Sequence, residues 1–127
     1  MTETMITVLL LIIAVIHWLP LAGVLNAGRL QSLYSVAIAD KNLEILMRHR
    51  AALFGILGLF FTYAAFTPAV QPLAFIAALL SISSFFYLAY SVGGYNAAIR
   101  KVVIADGVTA ACLVVAVTLY FCQRIEY

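Results

Sequence analysis

The chain has 127 residues, of which 66% are apolar and 9% charged, with a net charge of +2 and a mean hydropathy of +1.13. Soluble domains are about 45 to 50% apolar and about 25% charged, so this composition excludes a soluble domain and predicts an integral membrane protein. The small net charge, without a basic run interleaved with aromatics, excludes nucleic acid as a partner. The length suits four spans of about 20 residues with short connections, and therefore one membrane domain over residues 1–127.

The first span is predicted from Met5 to Leu25. Glu3 stands where a secretory signal would carry basic residues, and the apolar run exceeds the about 7 to 15 residues of a signal core, so the segment reads as an uncleaved span. It holds His17, with Pro20 three residues on. A proline lacks the N–H of a helical residue, which predicts a kink and a freed carbonyl able to bond the imidazole.

Asn26 to Leu46 carry Arg29, Asp40, Lys41 and Glu44, with Asp40 expected in solvent. Within this stretch Leu30, Leu33, Tyr34, Ala37 and Ile38 recur at helical spacing, predicting a short amphipathic helix in the headgroup region. The second span is predicted from Met47 to Thr67, and a tight turn at Thr67 and Pro68 leads to the third, Ala69 to Val92, opened by Pro72. Gly93 and Gly94 end it, and Asn96 is the expected cap of a fourth helix whose apolar part runs from Val102 to Cys122. The predicted fold is all-α, an integral membrane four-helix bundle with a short interfacial helix between spans one and two.

Arg29, Lys41, Arg48, Arg50, Arg100 and Lys101 lie at one side of this layout and Arg124 at the other. The positive-inside rule then predicts both connections in the cytoplasm and both termini outside. Cys112 and Cys122 are about 15 Å apart along one helix, too far for a disulfide.

Ionisable groups at membrane depth are costly and usually face protein or a water-filled cavity. From Ala51 to Thr67 a helix covers about 26 Å, short of a hydrocarbon core of about 30 Å, which draws the triplet Arg48, His49 and Arg50 toward the core boundary. Arg50 is expected to extend to the headgroups. Arg48 shares a face with Ala51, Gly55, Gly58 and Thr62, a small-residue stripe that points it at protein, and Glu44 lies one turn earlier to pair with it. Asp106 sits about 6 Å inside the fourth span, cannot reach the headgroups as an arginine can, and is expected to pair with an arginine of the second span.

The candidate ligand-binding residues are therefore Arg48, His49, Arg50, Asp106, His17 and Tyr87, the last at the end of the third span. His17 and His49 could in principle hold a haem, but no further signature supports one, and neither a cofactor nor a metal set is expected. At the other end, Thr62, Tyr63, Thr67, Gln71, Arg124 and Glu126 predict no convergent site. Ser81, Ser83 and Ser84 are expected to pack.

The run Leu46-Met47-Arg48-His49-Arg50-Ala51-Ala52-Leu53-Phe54-Gly55, together with Gly93-Gly94-Tyr95-Asn96 through Ala105-Asp106, resembles a group of small bacterial four-span inner-membrane proteins distantly similar to the DoxX-like proteins. That resemblance covers nearly the whole length and implies a fold and an inner-membrane location, without an established activity. Some members carry the name of phosphopantetheine adenylyltransferase, a soluble enzyme whose glycine loop and His-x-Gly-His element do not occur here. Glu44, Arg48, Arg50 and Ala51 also resemble part of the glutathione site of the membrane-bound (MAPEG-like) glutathione transferases. There the acidic residue and arginines would hold the peptide, although Leu53 and Phe54 replace polar residues of that pattern.

The expected function is a non-enzymatic membrane protein with a polar pocket near the cytoplasmic leaflet. Its partners would be membrane lipids and an amphipathic small molecule such as a lipid or quinone. The alternatives are the glutathione transferase and an accessory subunit that assembles as a homo-oligomer or within a larger membrane complex.

Overall fold

The computed structural model describes residues 1–126, with Ala22 described by its backbone. The described residues form five α-helices: α1 (Thr2–Trp18), α2 (Ala27–Tyr34), α3 (Lys41–Ala65), α4 (Gln71–Val92) and α5 (Ala97–Ile125). Two 3-10 segments, Leu19–Val24 and Pro68–Val70, extend the end of α1 and lead into α4. No strand occurs among the described residues, and the fold is an all-α bundle. Four helices are long and apolar enough to cross a bilayer, which makes this a multi-pass membrane protein.

Local chemistry sets the helix ends. The Asp40 carboxylate accepts the Asn42 N–H at 2.8 Å and starts α3 at Lys41, six residues before the predicted span. Asp40 is thus a cap and not merely a solvated charge. Asn96 accepts the Ile99 N–H at 2.9 Å and starts α5. Its amide also donates to the carbonyls of Tyr34 (2.9 Å) and Ser35 (3.3 Å), tying the end of α2 to the start of α5. Gly93 and Gly94, at φ of 68° and 66°, take the left-handed backbone that stops α4.

α2 is shorter than its apolar periodicity implied. Ser35 turns left-handed (φ 52°, ψ 43°), so Ala37 and Ile38 lie beyond the helix. Ile38 still buries beside Leu30 and Tyr34, against Met47, Ile99 and Val102. Pro20 ends the α-helical part of the first span, and the 3-10 turn gives the Ile16 carbonyl to the Leu19 N–H.

α1 packs against α3 and α5, and α4 closes onto α5 and α3. Lipid tails are as apolar as leucine, so close backbone approach and interhelical bonds hold such a bundle together. Ala51, Gly55, Gly58, Phe61, Ala64 and Ala65 form the buried stripe of α3. A β-carbon on Gly58 would strike the Trp18 indole, whose N–H donates to the Gly55 carbonyl at 3.2 Å. One on Gly55 would lie 2.6 Å from a methyl of Leu21. The core continues through Leu10, Ile13, Ala74, Ala78, Leu113 and Ala116.

The last buried residue of α4 is Ile82. From Ser83 to Val92 no side chain is buried, and Tyr87 and Tyr90 are 70% and 90% exposed. Phe86 still packs partly against the core, so α4 covers that end of the bundle only in part.

Candidate ligand cavity

The end of the first span, α2, the part of α3 around Arg50 and Phe54, and the first three turns of α5 surround a partly open cavity of about 190 Å³. Its walls are mostly apolar, from Ile16, Pro20, Leu33, Phe54, Val102 and Ala105. Into it face Arg50, Tyr34, Asp106, Lys101 and His17.

Arg50 is fixed from two sides. Its Nη1 donates to the Tyr34 phenol oxygen at 2.6 Å, and its guanidinium carbon lies 4.6 Å from the Phe54 ring centre and 5.3 Å from that of Tyr34. A cation over an aromatic face gains about 0.5 to 2 kcal/mol, more when desolvated. These contacts turn Arg50 inward, against the expectation that it extends to the headgroups.

Arg48 lies about 200° around the helix from Arg50. It points at protein, as the small-residue stripe implied, but its work there is backbone satisfaction. Nε donates to the Val24 carbonyl at 2.8 Å, Nη2 to that of Leu25 at 3.3 Å, and Nη1 meets Glu44 at 3.4 Å. These carbonyls lie where the first span ends and would otherwise lack helical partners. Arg48 is not part of the cavity wall. Glu44 and Arg48 line a shallow surface depression with Lys41, so the structure does not bring Glu44, Arg48 and Arg50 to one site.

Asp106 is half-buried and faces the cavity. The expected ion pair with an arginine of α3 is not formed: among the described residues the one ion pair within 4 Å is Arg48 with Glu44. Arg50 is held by Tyr34 and Phe54, and its guanidinium stands beyond 4 Å from the Asp106 carboxylate. Thr109, one turn on, is buried and bonds the Ala105 carbonyl at 3.1 Å.

His17 is 2% exposed and both its nitrogens are engaged. A carbonyl can only accept, so Nδ1–H donates to Ile13 O at 2.9 Å; Nε2 then accepts from the Ser81 hydroxyl at 3.1 Å. The carbonyl it uses is one turn back along α1, not one released by Pro20. The ring packs edge-on to Phe61 and tilted on Phe54, at 4.8 and 5.6 Å between centres. This side chain fastens α1 to α4 and closes the inner end of the cavity. Ser81 thereby does more than pack.

The structure does not bring His49 and Tyr87 to the cavity. His49 is exposed on the outer side of α3, apart from His17, and Tyr87 stands on the outlying part of α4. The sequence reading missed Tyr34, Lys101 and Phe54 as wall residues. For Phe54 a signal existed, since it stands one helical turn after Arg50.

A fixed guanidinium, a phenol, an ammonium and an unpaired carboxylate around an apolar hollow can bond a small polar group bearing both acceptors and donors. No family model, no curated protein and no solved structure matches the chain.

Proposed function

We propose that this protein binds the polar head of an amphipathic small molecule, of the lipid or quinone class, in the cavity between α1, α2, α3 and α5, without catalysing a reaction. The observation that carries this reading is that Arg50 and Asp106 face the same hollow from different helices without pairing directly. Opposite charges at membrane depth are costly when left unpaired, and a bound head group bridging them offsets that cost. A volume of about 190 Å³ suits a head group and not a whole lipid, so the tail would leave through the open side of the cavity. Mass spectrometry of molecules retained by the purified protein tests this. A lipid or quinone is expected in the native chain and lost in Arg50→Gln; equal retention by both counts against the reading.

The positive-inside pattern supports placing this end in the cytoplasm, with the membrane being a bacterial inner membrane and both termini outside it. A reporter joined after Tyr127, which lies outside the described residues, should then be active only outside the cytoplasm. A distant relation to the DoxX-like four-span proteins belongs to the same proposal and rests on the motif runs around Arg48 and Asp106.

A second reading, an accessory subunit or homo-oligomer, is favoured by one observation. The outer half of α4, Ser83 to Val92, buries no side chain and exposes Tyr87, Leu88 and Tyr90, a surface another membrane helix could cover. Cross-linking through a cysteine placed at Leu88 in membranes would detect it.

A further inference from the structure

At the opposite end of the bundle lies a wider cavity of about 620 Å³, where the sequence had predicted no convergence. α1 supplies Glu3 and Thr7, the start of α4 supplies Gln71, and the end of α5 supplies Tyr120, Gln123 and Arg124. None of these residues belongs to the first cavity.

Gln71 is 5% exposed, and its amide nitrogen donates to the Ala64 carbonyl at 3.3 Å. Its carbonyl oxygen has no hydrogen-bond partner among the described residues and is not sealed within the protein, and the residue lines the cavity. Thr7 donates its hydroxyl proton to the Ala65 carbonyl at 2.8 Å, which leaves the hydroxyl oxygen as an acceptor. Glu3 and Arg124 both line the cavity without forming an ion pair within 4 Å. The guanidinium is steadied over the Tyr120 ring, 4.9 Å from its centre. The cavity thus has an acceptor-rich side and a cationic side.

We propose that this second cavity binds a small zwitterion, with a primary ammonium against Glu3, Thr7 and the Gln71 oxygen, and an anionic oxygen against Arg124. A simple anion would meet the Glu3 carboxylate and a simple cation would meet the Arg124 guanidinium. A ligand carrying both charges satisfies both walls. The same chemistry occurs in the phosphoethanolamine head of a membrane lipid and in free amino-acid-like zwitterions. The site is independent of the function proposed for the first cavity.

The test uses the full chain in detergent, with native mass spectrometry and calorimetry. The probes are phosphatidylethanolamine, phosphatidylglycerol and free O-phosphoethanolamine. If the ligand is a lipid head, phosphatidylethanolamine is retained about tenfold over phosphatidylglycerol and the free head binds weakly. If it is a soluble zwitterion, O-phosphoethanolamine binds without chains. In either case Glu3→Gln and Arg124→Gln each weaken binding about tenfold with an unchanged melting temperature, while Arg50→Gln in the first cavity has no effect. Three results would each overturn the proposal: equal retention of both lipids together with no binding of O-phosphoethanolamine, binding unchanged in the Glu3→Gln, Arg124→Gln double variant, or no binding of any probe.

Discussion

Arg50 donates to the phenol of Tyr34 across 2.6 Å, joining α3 to the short helix that roofs the first cavity. Tyr34 is 3% exposed, so the phenol end of this bond is buried. Hydrogen bonds to a charged group contribute about 1.5 to 3 kcal/mol. Tyr34→Phe keeps the ring and removes the bond, and is expected to lower the melting temperature in detergent by several degrees and speed proteolysis between Ser35 and Asp40. An unchanged melting curve would mean that the bond does not fasten α2.

Asp106 has no ionic partner within 4 Å among the described residues, although it is half-buried. Removing an unpaired charge from a low-dielectric setting relieves a desolvation cost. Asp106→Asn is therefore expected to leave the melting temperature unchanged or raised, while altering which molecules the purified protein retains. A fall as large as that of Tyr34→Phe would restore the ion pair that the sequence suggested.

Asp40 caps α3 through its bond to the Asn42 N–H. Losing such a cap costs about 0.5 to 2 kcal/mol. Asp40→Ala should lower thermal stability measurably by circular dichroism, and Asp40→Asn should recover most of it because asparagine caps nearly as well. Identical melting of Asp40→Ala and the native chain would assign the residue to solvent after all.

Gly58 leaves the space that the Trp18 indole fills. Overpacking a fitted contact costs about 1 to 3 kcal/mol. Gly58→Ala should loosen α1 from α3. Because Trp18 is the single tryptophan, its fluorescence reports this contact directly. A shift in its emission maximum together with a lower melting temperature is expected; an unshifted spectrum would argue that α1 and α3 do not meet through this ring.

The amino-acid order alone determined the number of long helices and several of their ends. Bilayer thickness sets span length, so long uncharged, mostly apolar stretches such as Ala69 to Val92 identify spans without knowledge of their neighbours. Asn96, Pro72 and the Gly93-Gly94 pair act on backbone groups within a few residues, and such local chemistry is also legible in one dimension. The tertiary structure decided which way each polar side chain turns. Arg48 and Arg50 are two residues apart and equally basic, yet one closes the end of the first span and the other meets Tyr34 and Phe54. That division follows from the rotation of α3 about its axis, set where Gly55 and Gly58 receive Leu21 and Trp18. The arrival of Tyr34 in the first cavity and the gathering of Glu3, Gln71 and Arg124 at the other end depend equally on contacts between residues distant in sequence. Periodicity along one helix carries no information about its angle to another, which only packing fixes.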